Sequence, residues 1–315
     1  MKTMTGLSAG IFWALDTVIL GIALSGAEFA ETQQAVFLAP FASAFLHDFC
    51  SCIWMFLYTA GKFFACRLGK KNAYRSVAGA LKTQSGKYII LGALFGGPIG
   101  MTGYVFAIRY LGASYTAMIS ALFPAFGAVL SRIFLKERLN RIQLAGFACS
   151  VLATVALGYS AHGAKPENFA LGFFCALLCV SGWAAEVVIC AYGMKDPGVD
   201  NEQALMIRQT VSALFHGLVI LNLVKGWDFA RSVMLTGSGR VIALAALSGT
   251  VSYLCYYKTI RRLGPAKAMA LNITYAAWAI VLELMLLQTQ PDLKKAICGI
   301  VILTGSLITA FDRKK

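Results

Sequence analysis

Two tryptophans and two carboxylates are the residues on which chemistry could turn. The stretch GIFWALDTVI (Gly10–Ile19) places Asp16 three residues after Trp13, and CVSGWAAEVVICAY (Cys179–Tyr192) places Glu186 three residues after Trp183. Residues three apart share a helix face, so each ring stands beside its acid. Both stretches are apolar enough to sit in a bilayer, where an acidic side chain costs about 2.5–3.5 kcal/mol on insertion scales. A chain that keeps such a group gives it a use or a partner. Aromatic faces beside a carboxylate suit a cation. Ring faces can replace the hydration shell of a methylated ammonium, each contributing about 0.5–2 kcal/mol, and the acid supplies the compensating charge. Further rings at Tyr104 and Phe123, and at Tyr253, Tyr256, Tyr257, Tyr275 and Trp278, extend the candidate lining. Helical spacing does not let 253, 256 and 257 all face one cavity; Tyr253 with Tyr257 is the preferred pair. Packing or a membrane-interface belt is the competing role for Trp13 and Trp183.

Other polar groups lie inside apolar runs. His47 and His216 fall mid-run, and Asp48 follows His47 directly. Interhelical hydrogen bonding is the ordinary role of such histidines. A proton relay is the alternative, which makes His47, Asp48 and His216 the candidates for coupling to a proton or sodium gradient. Asp16 is read as a site acid, a protonated acid or the partner of a basic residue. A structural acid held by serine or backbone groups is the alternative for Glu186. Arg208 and Glu283 read as residues snorkelling to the interface. Pro98 and Pro124, with Gly96, Gly97, Gly100 and Gly103, read as kink and close-packing positions able to supply bending. Nearly all of the nine cysteines lie in apolar runs, and neither Cys50-x-Cys52 nor Cys175-x-x-x-Cys179 has a histidine or acid at ligand spacing. They are expected to be reduced packing residues, and no metal or cofactor is expected. No nucleophile adjoins a base, so no catalytic residue is assigned. An integral-membrane enzyme using His47–Asp48 remains a competing class. There is no Walker motif, so ATP is not the expected driver.

The elements that must position these residues follow from composition. The 315-residue chain is 58% hydrophobic and 13% charged, with mean hydropathy +0.70. Soluble domains are about 25% charged, so this composition implies an integral membrane protein. The net charge of +14 comes from basic residues in the gaps between apolar runs, which reads as loop topology rather than nucleic-acid binding. Ten runs near 5–25, 35–58, 88–108, 112–133, 141–160, 169–191, 204–224, 240–258, 266–287 and 295–311 are long enough to cross. The longest gap, 62–87, is basic. With the N-terminus inside, 21 basic residues fall on inner segments and 7 on outer ones, so both termini are expected in the cytoplasm. The first run contains Asp16 and lacks a small-x-small exit, so no cleavable signal is expected. The expected location is the inner or plasma membrane, multi-pass.

An internal repeat sets the expected architecture. Trp13/Asp16 matches Trp183/Glu186 at an offset of 170, and SAFLH (Ser43–His47) matches SALFH (Ser212–His216) at 169. Gly86-Lys87 matches Gly239-Arg240, Tyr104 matches Tyr257 and Gly146 matches Gly299, all at 153. Arg109–Gly112 (RYLG) pairs with Arg261–Gly264 (RRLG). Five spans per half require opposite topologies, and inverted repeats are a transporter signature. The expected repeats are 1–163 and 164–315.

Leu135–Ser160 (LKERLNRIQLAGFACSVLATVALGYS), together with Arg109–Ala117 (RYLGASYTA) and its counterpart, resembles an EamA-type half, and the whole chain resembles the drug/metabolite transporter superfamily. The second half, LQTQPDLKKAICGIVILTG, departs by lacking the acidic turn. The resemblance implies ten helices in two inverted repeats, with the first four of each lining a cavity and the fifth at the periphery or a homodimer contact. Within the superfamily the chain looks most like bacterial choline-uptake permeases, in its Trp-bearing first and sixth helices and in CAYGMKD (Cys190–Asp196). The expected function is secondary transport of a small organic cation, choline or a related quaternary ammonium compound. An exporter of amino acids or other metabolites is the runner-up. Glu186 pointing at lipid, or locked to an arginine with no room beside it, would overturn the cation reading and leave only a generic carrier fold.

Overall fold

The computed structural model describes residues 2–68, 77–159, 168–195, 198–288, 290 and 292–311. Of the basic residues counted for orientation and the stretches quoted for the resemblance, Lys70, Lys71, Arg75, Ser160, Lys165, Asp196, Thr289, Pro291, Arg313, Lys314 and Lys315 lie outside the described residues. Among the described residues, ten helices are long and apolar enough to cross a membrane. They are Thr3–Leu24 (α1), Gln33–Phe64 (α2), Gln84–Leu111 (α3), Tyr115–Phe134 (α4), Arg141–Gly158 (α5), Phe169–Gly193 (α6), Asn201–Leu223 (α7), Gly237–Leu263 (α8), Pro265–Leu286 (α9) and Leu293–Ala310 (α10). Each overlaps an expected run.

The largest difference lies in the gap read as 62–87. The helix that contains α2 runs without a break to Leu68, and helix resumes at Val77–Leu81 and again at Gln84. Gly61 and Lys62 end the apolar run but not the helix, because a lysine extends a helix readily and can carry its charge into the headgroup region. The Lys62 ammonium lies 2.5 Å from a Glu202 carboxylate oxygen, and the Tyr58 hydroxyl donates to the same carboxylate at 3.1 Å. These contacts tie the end of α2 to the start of α7.

Helix starts recur at the offsets seen in the sequence. Thr83 caps α3 by accepting from Gly86 N–H at 3.0 Å, and Thr236 caps α8 by accepting from Gly239 N–H at 3.3 Å. Gly112 (φ 83°, ψ 163°) and Gly264 (φ 85°, ψ 162°) turn the chain before α4 and α9 with one backbone geometry. Only glycine adopts that region without strain. α4 and α9 are each interrupted once, at 121–122 and at 273–274. α3 and α7 each contain a π-helical stretch, Phe95–Met101 around Pro98 and His216–Ile220.

Packing places α1 along α8 and α6 along α3. α5 and α10 pack on each other within the chain. Their crossing is made of small residues. A Cβ added at Gly146 would lie 2.7 Å from the Gly305 carbonyl oxygen, and Ser150 and Ser306 Oγ are 3.2 Å apart. Helices in lipid gain their affinity from this kind of close backbone approach. Glu283, expected to snorkel, lies 3.6 Å from Lys295 Nζ and links α9 to α10.

The acidic turn between α4 and α5 has a structural job. Glu137 accepts from Ala266 N–H at 3.1 Å and so caps α9. Burial raises the Glu137 carboxyl above its ordinary value, against smaller opposing pulls from the Ala266 N–H and from Lys267 and Lys195. The folded protein therefore holds this proton more tightly than the unfolded chain does. Its contribution to stability is complete below the ordinary carboxylate pKa and is lost as pH rises through the raised value. Glu137→Gln is accordingly expected to gain on the native protein in melting temperature as pH rises from acid to neutral; a difference flat in pH would refute this. At the α5–α10 crossing, Gly146→Val is expected to destabilise by about 1–3 kcal/mol through overpacking. Ser306→Ala should cost nearer about 0.6 kcal/mol, both read from melting in detergent.

Candidate functional site

The α3 sequence lets α6 approach closely. Gly92, Gly96, Gly100 and Gly103 recur every three or four residues and form one helix face. A Cβ at Gly92 would lie 2.6 Å from Cys190 Sγ, one at Gly96 would collide with the Glu186 carboxylate, and one at Gly100 would lie 2.6 Å from Trp183 Cδ1. The glycine stripe therefore seats Trp183 and Glu186 against the α3 backbone. Glu186 is only 6% exposed.

Glu186 is not free. Arg208 Nε donates to Glu186 Oε1 at 2.7 Å. The same guanidinium donates through Nη1 to Asp48 Oδ1 at 3.3 Å and to Gln209 Oε1 at 2.7 Å, and through Nη2 to the Tyr253 hydroxyl at 3.3 Å. Its carbon stands 4.8 Å from the Tyr253 ring centroid. Arg208 is thus not the snorkelling interface residue expected from its place near the end of a run. It is buried at 6% exposure and joins α2, α6, α7 and α8. The physical reason is pairing: two carboxylates make the interior a better place for this cation than the headgroup region. Removing one partner from such a buried pair costs about 3–5 kcal/mol. Asp48 is held further by Ser212 Oγ, which donates to Oδ2 at 2.5 Å, and by His216 Nδ1 at 3.4 Å. The sequence did carry a signal for Arg208: with Ser212 and His216 at i+4 and i+8, it heads one polar face in an apolar run.

A second carboxylate site lies between α1, α2 and α8. Asp16 Oδ1 and His47 Nε2 are 2.9 Å apart, so Asp16 is the partner of a basic residue, one of the roles read for it. A Cβ on Gly249 of α8 would lie 2.8 Å from Asp16 Oδ2. Gly249 stands 153 residues after Gly96, the repeat offset, so each site sets an acid of α1 or α6 over a glycine of α8 or α3. The partners differ: histidine closes one site and arginine the other. His47 and Asp48, adjacent in the chain, turn to different partners and form no dyad.

The rings form two groups. Trp13 lies 5.5 Å from Tyr253 and 5.6 Å from Tyr275, both centroid to centroid. Trp183 lies 5.4 Å from Tyr104 and 5.8 Å from Phe123. Tyr257 directs its hydroxyl at Glu186 Oε1 and Cys190 Sγ, each at 3.5 Å. Tyr256 packs on Tyr253 at 6.5 Å, and its buried hydroxyl has no partner among the described residues. Among the described residues, Trp278 makes no ring contact with either group, and its buried indole N–H has no partner. Gln209 Nε2, on the side chain that holds Arg208, is likewise buried without a partner. Sequence reasoning missed Arg208, Gln209 and Ser212 as members of the centre.

Comparison with known proteins agrees with this architecture. The chain is 30% identical over 306 residues to Protein LicB of Haemophilus influenzae, covering 97% of this chain and 96% of that one. It is 22% identical to an uncharacterized transporter of Clostridium kluyveri, covering 72% and 73% of the two chains. A solved crystal structure superposes with a TM-score of 0.70 at 16% identity, covering 98% of this chain and 96% of that chain, which shows the fold. The EamA-like transporter family matches residues 2–159 and again residues 170–311, on either side of the connection between α5 and α6. With ten spans and nearly its full length matched, this multi-pass membrane protein belongs to the EamA-like transporter family.

Proposed function

We propose that the protein is a secondary carrier of a small organic cation, choline or a related quaternary ammonium compound. It would work by alternating access between two inverted five-helix repeats, 1–163 and 164–315. Both termini would lie in the cytoplasm and the chain in the inner or plasma membrane. The observation that carries the reading is the guanidinium of Arg208 standing 4.8 Å over the Tyr253 ring. The centre already holds a delocalised cation on an aromatic face. Asp48 and Glu186 are buried there, two carboxylates around one guanidinium, and Asp16 is buried at the second site beside His47. Trp13 and Tyr275 extend the same aromatic surface. The unpartnered Tyr256 hydroxyl and Gln209 amide could be met by a ligand that carries a hydroxyl group as well as a charge.

The arginine lock on Glu186 that was set against a cation is present, so the cation reading requires room that opens only when Arg208 moves. The Glu186 charge is balanced by Arg208, so a cation gains that carboxylate only when the guanidinium gives way. Asp16–His47, Asp48 and His216 are the proposed carriers of coupling to a proton gradient, with sodium as the alternative ion. A homodimer is compatible with this reading.

One observation favours the runner-up, an exporter of amino acids or other metabolites. A buried guanidinium is also a group that binds a substrate carboxylate. Thermal-shift titration of purified protein distinguishes the two, because a ligand that binds only the folded state raises the melting temperature. Choline is expected to raise it more than glycine betaine or free amino acids do. A response to amino acids alone would transfer the assignment to the runner-up. Trp13→Ala is expected to weaken choline binding by about ten-fold and Trp13→Phe by less, since the smaller ring keeps a π face. Equal losses would mean that the indole serves only to pack.

A further inference from the structure

Arg208 divides its contacts by nitrogen. Nε holds Glu186, Nη2 holds the Tyr253 hydroxyl, and Nη1 holds Asp48 and Gln209. The guanidinium carbon also stands 4.8 Å from the centroid of the Tyr253 ring. The Glu186 and Tyr253 contacts are those a substrate cation would seek, a carboxylate and an aromatic face. The Nη1 contacts are a second anchorage, with a carboxylate of its own, that can be kept while Nε lets go. The repeat-related site has no such device. There Asp16 meets His47, a group that can shed its charge, whereas an arginine cannot.

An ion pair that joins four helices also restrains their separation. Opening it alone leaves Glu186 charged and unpaired in a buried site. An arriving cation removes that penalty by replacing one positive partner of Glu186 with another.

From this geometry we infer that Arg208 is an intramolecular stand-in for the substrate cation: it occupies Glu186 and the face of Tyr253, and substrate binds by displacing it onto Asp48 and Gln209. The inference rests on the cation reading above and adds a specificity-determining residue to it. It explains how a carrier can keep a deep acidic site without trapping inorganic cations, since a competitor must match both the acid and the aromatic face. It also predicts that apparent affinity is reduced by the fraction of molecules in which Arg208 holds the site.

The test is equilibrium binding of choline, and of its neutral isostere with a tert-butyl group in place of the trimethylammonium, to native protein and to Arg208→Gln. Removing an internal competitor is expected to tighten both ligands by about ten-fold. A gain for choline with none for the isostere would indicate relief of through-space repulsion and overturn the inference. Native binding that stays the same or weakens in Arg208→Gln would also overturn it, while leaving the cation reading in place. Failure of native protein and variants alike to bind any quaternary ammonium overturns both. Should Arg208→Gln not fold, Arg208→Lys keeps the charge but loses the planar contact with Tyr253. It should tighten both ligands by about three-fold, and unchanged affinity there would be decisive against displacement.

Discussion

A guanidinium placed among hydrocarbon chains has to be matched by negative charge on every side that water would otherwise cover. Arg208 is matched by Glu186 from α6 and Asp48 from α2, with Gln209 and the Tyr253 hydroxyl accepting from two more of its N–H groups. Breaking one side of such an arrangement costs about 3–5 kcal/mol, comparable with the margin by which a domain stays folded. The relative placement of four spans is therefore tied to one side chain. The glycine face of α3 is the complementary condition, because any Cβ at Gly96 would displace the Glu186 carboxylate that Arg208 needs.

The two halves solve one steric problem and two electrostatic ones. An acid on α1 or α6 lies over a glycine on α8 or α3, so backbone geometry repeats. Charge does not repeat. Asp16 is met by a histidine that can change its protonation, and Glu186 by an arginine that cannot. A duplicated scaffold thus carries unlike charge partners at its two acids.

Motion needs weak points as well as fixed ones. α3 and α7 contain π-helical stretches and α4 and α9 are interrupted, so four of the spans around the centre depart from regular helix. Departures of this kind leave backbone groups free to exchange partners and are where helices bend. α5 and α10, by contrast, are regular and clasped through Gly146, Gly305, Ser150 and Ser306. Regular helix sits at that crossing and irregular backbone around the acids.

Ten spans were legible because an apolar run long enough for a bilayer can hardly fold otherwise, its backbone having to satisfy itself. The repeat was legible where one geometry demands one residue, as at Gly112 and Gly264, whose positive φ excludes other side chains. The end of α2 was not, since Lys62 stops hydropathy without stopping a helix. By itself the sequence determined the membrane class, the spans, the two Trp-x-x-acid faces and the presence of buried charge. It left open which charge met which, because partners such as Asp48 and Arg208 stand 160 residues apart and only packing brings them within 3.3 Å. Tertiary structure made that decision, turning an arginine that hydropathy alone would send to the interface into the centre of the protein.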